Sequence, residues 1–249
     1  MADAILDVVR VRKAFGGVRA VDDVGFILPR GEIRALIGPN GAGKTTFFNI
    51  LTGQLAADAG TVRYRGRSLD GLPPWEIWKL GISRTFQITA TFASLTVLEN
   101  VQVARLSHAG QSRALFRAAH RLEVRPAMAL LEQVGLAEQH GRPAGVLAYG
   151  DLKKLELAIA LASDPMLLLL DEPTAGMAPA ERRALMALTT RIARERGLTM
   201  LFTEHDMDVV FATADRIMVL HQGRLIADGP PSEVRADRDV QAVYLGEDV

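Results

Sequence analysis

Eight residues constrain this chain more than any others: Gly38-Pro-Asn-Gly-Ala-Gly-Lys44-Thr45. They fit the phosphate-loop pattern G-x-x-x-x-G-K-[ST], which requires a strand in front and a helix behind. Both flanks are present. Ile33 to Ile37 reads as a strand, and Phe47, Ile50 and Leu51 fall at i, i+3 and i+4 ahead of Gly53, as on a short helix with a glycine stop. A chance glycine-rich turn would have neither flank. In such a loop the glycines let successive N–H groups curl around an anion, and the helix start adds roughly half a positive charge. Lys44 is placed to reach terminal phosphates, and the Thr45 hydroxyl to hold Mg²⁺.

The remaining segments supply what a nucleotide fold needs around this loop. Leu6 to Val11 and Val24 to Leu28 read as strands, Val62 and Tyr64 as a hairpin arm, and Pro73-Pro74 open a helix carrying Trp75, Ile77, Trp78 and Leu80. Residues 96 to 162 hold four helical stretches, 97–106, 115–121, 127–134 and 152–162, with little β signal. Met166 to Leu170 is an unbroken apolar run of the sort buried on both faces of a parallel sheet, and Leu198 to Phe202 reads as another buried strand. Leu185, Leu188, Thr189 and Ile192 mark a helix between them that stops at Gly197. Ile217 to Leu220 and Leu225 to Ala227 form a closing hairpin, and Ser232 caps a last helix. The expected fold class is α/β: a phosphate-loop core with a mainly parallel mixed sheet, an antiparallel β portion and an inserted helical portion.

Composition narrows the partners. Of 249 residues, 29 are Lys or Arg and 29 Asp or Glu, so a net charge of zero gives no general attraction to nucleic acid or anionic lipid. The absence of cysteine removes disulfides and thiolate chemistry and fits a cytoplasmic setting. No apolar run approaches a membrane span, so membrane association is expected to run through a partner.

Asp171 ends an apolar strand, where a parallel sheet presents ligand groups, so it is read as the Walker B aspartate sharing Mg²⁺ with Thr45. Adjacent strand residues face opposite ways, so Glu172 takes a separate role, general base toward the attacking water. These features describe a phosphate-loop NTPase, a class spanning kinases, GTPases, helicases and transport motors. Order then separates them. Gln87 lies between the phosphate loop and the helical block, Leu147-Ala148-Tyr149-Gly150-Asp151 opens a helix before the Walker B strand, and His205 follows the next strand.

That order resembles the ATP-binding cassette (ABC) ATPases over nearly the whole chain. The resemblance implies one ABC ATP-binding domain over 1–249, with a RecA-like core and antiparallel β subdomain in 1–87 and 163–249, and a helical subdomain in 88–162. It implies ATP and Mg²⁺ as ligands, with Phe15 stacked on adenine and Val21 beside the nucleotide. Gly38, Pro39, Asn40, Gly41, Ala42, Gly43, Lys44, Thr45 and Thr46 cradle the phosphates. Thr45, Gln87 and Asp171 take the metal, Lys44, Gln87, Glu172 and His205 are catalytic, and Leu147 to Asp151 form the signature that binds the opposite subunit's nucleotide. The implied partners are a second cassette, identical or related, a transmembrane permease and, through it, a solute-binding protein. Nucleic acid is not among them.

Two departures from the family pattern stand out. Ala148 replaces the usual signature serine, Tyr149 a glycine and Asp151 a glutamine, and Asp151 is expected to point away from phosphate; in the loop after Walker B, Ala178 replaces the usual aspartate. Arg84-Thr-Phe-Gln87, Leu95-Thr-Val-Leu-Glu-Asn100, the Leu-Ala-Tyr-Gly stretch, Thr203-Glu-His-Asp-Met207 and Tyr244-Leu-Gly246 look like cassettes of branched-chain amino acid importers, whose relatives carry urea or amides. The tail 243–248 also resembles a lipopolysaccharide-export ATPase, and a regulatory, non-transport cassette is the remaining alternative. No guanine-binding Asn-Lys-x-Asp occurs. Arg113, Arg117, Arg121 and Arg125 fall on one helical face, read first as a solvated surface and second as a stripe toward acidic groups or lipid headgroups. His108, His120, His140 and His221 join no constellation.

Overall fold

A computed structural model describes residues 3–85, 91–110 and 122–245. Gln87, the stretch expected as a helix at 115–121 with Arg113, Arg117 and Arg121, and residues 246–248 of the tail lie outside them.

The chain opens with β1 (Ala4–Phe15) and β2 (Val18–Pro29), which pair antiparallel, then runs through β3 (Ile33–Ile37) into α1 (Lys44–Leu51). Next come β4 (Ala59–Tyr64), β5 (Arg67–Ser68), α2 (Pro74–Lys79) and β6 (Ile82–Thr85). The helices α3 (Val97–His108), α4 (Val124–Val134) and α5 (Tyr149–Leu161) follow and pack on one another. The chain then alternates β7 (Leu167–Asp171), α6 (Pro179–Arg196), β8 (Thr199–Thr203), α7 (Met207–Thr213) and β9 (Arg216–His221), and ends with β10 (Arg224–Gly229), α8 (Pro231–Ala236) and α9 (Arg238–Leu245).

Two sheets result. One is antiparallel in the order β2-β1-β4-β5; the other, β10-β9-β3-β8-β7-β6, is parallel except for β10 against β9. The period-two pleat of the large sheet explains its continuous apolar strands. Ile33, Ala35, Ile37, Leu168, Leu170, Met200 and Phe202 pack toward the helices α3 to α6, whereas Leu36, Leu167, Leu169, Leu201 and Met218 pack toward α1 and the antiparallel sheet. Phe47 and Phe48 of α1 are wholly buried in that second core, which pins the helix behind the phosphate loop.

Entry to the helical layer is locked locally. The Thr96 hydroxyl accepts from the Glu99 N–H at 3.1 Å while Glu99 Oε2 accepts from the Thr96 N–H at 2.8 Å, a reciprocal N-terminal cap on α3. These hydrogen bonds hold the Glu99 carboxyl below the ordinary range against the opposing effect of burial. Buried Asn100 ties the preceding loop down, accepting from Phe92 N at 2.8 Å and donating to Thr96 O at 2.9 Å.

Four features differ from the sequence reading. Strand β6 is absent from it because Ser83, Arg84 and Thr85 are polar, yet it forms the last strand of the large sheet beside β7, with Ser83 and Thr85 buried and Arg84 partly so. Ser232 does not cap the last helix: α8 begins after Pro230 and carries no side-chain cap, because a proline at the first helical position already meets the helix start without an N–H to satisfy. A further helix, α9, follows it. Helix α5 starts at Tyr149, three residues earlier than its apolar pattern indicated.

Candidate nucleotide site

The site forms where the C-terminal ends of β3, β7 and β8 meet, since parallel strands deliver their trailing loops to one edge. The loop after β3 turns on two glycines that nothing larger can replace. Gly38 (φ 155) and Gly43 (φ 106) are left-handed, and a Cβ at either would stand 2.1 Å from Leu220 O or 2.0 Å from Ala20 O. Gly43 caps α1 with no acidic residue in the first turn, so the helix start faces the loop as an uncompensated positive end.

Lys44 is buried, with its Nζ donating to Gly38 O at 2.6 Å and Pro39 O at 3.1 Å. Burial pushes its pKa below the ordinary value, and the carboxylates of Glu172 and Asp171 pull it partly back. The ammonium thus sits inside the cradle, held by weak neutral acceptors that a phosphate oxygen would outcompete. Thr45 is exposed at the loop mouth, Thr46 and Pro39 are half-buried, and Asn40 and Gly41 lie at the surface. Ala42 is buried, as is Val21, which packs in the core beneath the loop.

Asp171, at the end of β7, is buried with one donor at each oxygen: Oδ1 accepts from the Thr203 hydroxyl at 2.8 Å and Oδ2 from Arg84 Nη2 at 2.7 Å, which leaves lone pairs on both. Arg84 also donates to Asn49 Oδ1 at 2.7 Å and the Thr52 hydroxyl at 3.2 Å, so β6, α1 and β7 converge on one guanidinium. Glu172 lies just beyond the strand in the left-handed region (φ 49). This turn, rather than the strand pleat, sends its carboxylate a different way from that of Asp171. Its Oε1 is 2.6 Å from His205 Nε2. Its N–H donates to Thr203 Oγ1 at 3.0 Å, which makes Thr203 a hinge pin for both acids.

Phe15 is half-exposed at the β1–β2 turn, with Lys13 Nζ 5.6 Å from its ring centre, so a flat apolar face is available to a stacking base. The signature residues stand apart on the helical layer. Ala148 is the N-terminal cap position of α5 without a capping side chain, and Leu147, Gly150 and Asp151 are partly buried beside it. Asp151 accepts from Gln139 Nε2 at 2.7 Å and Lys154 Nζ at 2.9 Å, and so is turned into the helical layer. Burial raises its pKa, but these two donors outweigh that and leave it lowered.

Arg84, Thr203 and Glu204 are the site residues that sequence reasoning assigned no role. Arg84 was visible as a cation in a strand-length segment just before Gln87; Thr203 and Glu204 gave no signal of their own. Gln87 lies outside the described residues.

Known proteins resemble this chain in sequence and in fold. A family model described as ABC transporter matches residues 21–175, and one described as branched-chain amino acid ATP-binding cassette transporter matches residues 224–249, which include the tail that also resembles an export ATPase. The high-affinity branched-chain amino acid transport ATP-binding protein LivG of Salmonella typhimurium is 41% identical, with 99% of this chain and 100% of the relative covered. The protein BraF of Pseudomonas aeruginosa, described in the same words, is 40% identical at the same coverage. The crystal structure of a nucleotide-free ATP-binding cassette from an ABC transporter aligns with TM-score 0.86 and 32% identity, over 97% of this chain and 98% of that one. A cassette solved in its ADP conformation aligns with TM-score 0.83 and 30% identity, over 98% and 99%. The chain therefore belongs to the ABC transporter family, in its branched-chain amino acid group, and is an ATP-binding, ATP-hydrolysing transporter subunit.

Proposed function

We propose that the chain powers uptake of branched-chain or related hydrophobic amino acids, working at the cytoplasmic face of the membrane beneath permease subunits. The substrate class is carried by full-length relatives named for that transport. The mechanism is carried by one observation: Lys44, Asp171, Glu172 and His205 gather at a loop whose turns at Gly38 and Gly43 admit no larger residue.

Two cassettes close face to face, each triphosphate lying between one subunit's phosphate loop and residues 147 to 151 of the other. Lys44 exchanges the carbonyls of Gly38 and Pro39 for phosphate oxygens. The donor set fits a hard cation: Thr45, Asp171 and, by the resemblance, Gln87 would hold Mg²⁺, which supplies charge neutralisation at the phosphates. Glu172 takes a proton from the water that attacks the γ-phosphorus in line; the bond to ADP breaks as the new P–O bond forms, releasing ADP and phosphate. His205, paired with Glu172, holds the γ-phosphate and fixes the direction of the base.

Glu172→Gln keeps the shape and the hydrogen-bonding reach of the side chain but removes the base. Hydrolysis should fall by about 10²- to 10⁴-fold, while ATP still binds and drives the variant into a dimer on size exclusion. Undiminished turnover would remove Glu172 from the role of base.

A further inference from the structure

The two departures in this sequence meet in space. Tyr149, standing where the commoner ABC signature has a glycine, reaches across to the loop with Ala178 in place of the commoner aspartate. The Tyr149 hydroxyl donates to Ala175 O at 2.9 Å, and its ring lies along Gly176, with atoms 3.5–3.7 Å from where a Cβ would stand. Gly176 is left-handed (φ 79), which keeps that face of the loop bare for the ring. From the helix side, Lys153 holds the ring: its Nζ is 5.5 Å from the ring centre and is itself fixed by a buried pair with Glu156 at 3.0 Å.

The loop end that Tyr149 grips is one turn from the chemistry. The Ala175 N–H donates to Glu172 O at 3.1 Å, closing a turn that contains the left-handed Glu172. Thr174 donates through N–H and hydroxyl to Glu204 Oε1 at 3.0 and 2.6 Å, and Glu204 adjoins His205. A displacement at the start of α5 is therefore passed by one hydrogen bond to the turn carrying the base, and by a second to the segment carrying the histidine.

We propose that Tyr149 is a positioning residue that couples the two nucleotide sites. When the signature of one subunit engages the opposite triphosphate, Tyr149 sets the turn 172–175 and so orients Glu172 and His205 of its own subunit. The inference rests on the paired-cassette reading and deepens it.

The test is Tyr149→Phe, which retains the ring and the fold and deletes only the hydroxyl. ATP hydrolysis by the full chain is measured against ATP concentration, with melting temperature and ATP-driven dimerisation of the Glu172→Gln chain as companions. Two coupled sites allow a Hill coefficient approaching about two; Tyr149→Phe should bring it to about one. A wild-type curve without cooperativity, an equally cooperative variant, or a variant whose melting temperature and rate fall at an unchanged Hill coefficient would each overturn the coupling role. A Glu172→Gln chain that stays monomeric with MgATP would instead sink the paired-cassette reading.

Discussion

Lys44 shows at the scale of one side chain how the site is held ready. A buried ammonium capped by two carbonyls is under-satisfied, and burial has pushed its pKa below the ordinary 10.5. The sign follows from proton counting. Between its folded and ordinary values the unfolded chain holds more protons, so this lysine costs stability at neutral pH, and the cost disappears as pH rises through that window. A bound triphosphate reverses the shift by favouring the charged form. ATP binding should therefore take up protons and weaken as pH climbs through the lowered Lys44 value, measurable by calorimetry in buffers of differing ionisation enthalpy. Lys44→Ala should remove this proton uptake together with a charged hydrogen bond of about 1.5–3 kcal/mol, roughly a ten- to hundredfold loss of ATP affinity. Proton uptake persisting in Lys44→Ala would assign it elsewhere.

Among the elements, the starts of α5 and α6 both place an alanine at the N-terminal cap position, Ala148 and Ala178. Helix α6 runs Pro179–Arg196 from an N-terminal cap position filled by Ala178, and Glu181 Oε2 accepts from the Ala178 N–H at 3.4 Å. Half of a capping box is thus present without its hydroxyl. Ala178→Ser should complete it and stabilise the protein by about 1 kcal/mol, raising the melting temperature by about 2–4 °C; an unchanged transition would mean the loop cannot present the new hydroxyl. Elements were legible in the sequence where one rule decided them. Met166 to Leu170 and Leu198 to Phe202 read as buried strands and fall on β7 and β8, and Gly197 stops α6 in the left-handed conformation its position suggested. Strand β6 was not legible, because Arg84 enters a sheet only when Asp171, 87 residues later, neutralises it. Local pattern carries no record of that pairing. Likewise the phosphate loop could be read from eight adjacent residues, whereas the Thr203 link to both acids and the Tyr149 link to Ala175 exist only once β7, β8 and α5 are assembled.

Across the whole molecule, no helix among the described residues is long and apolar enough to cross a membrane, and the proposed function has nucleotide chemistry passed on to permease subunits. A cleft of about 450 Å³ opens between α2, β6 and the helices α3 and α5, lined by Trp75, Trp78, Phe92, Val103 and Ile159. Trp75 and Phe92 remain 63% and 57% exposed there, large apolar surface that a folded chain leaves in water when a partner is to cover it. Arg84 lines the same cleft and donates to Asp171, so an object seated in the cleft bears on the group that holds the Walker B carboxylate. The permease subunit is the occupant that the proposed function requires. Because Trp75 stands in solvent, Trp75→Ala should leave the melting temperature and ATP affinity of the free chain unaltered. Loss of an aromatic anchor at an interface should weaken association with the permease by about 2 kcal/mol, roughly thirtyfold. Co-purification from cells expressing both subunits, and titration of the purified chain onto permease in detergent, report the change. Full-strength binding by Trp75→Ala would place the permease on another face, and Arg84 would then have no part in carrying the signal.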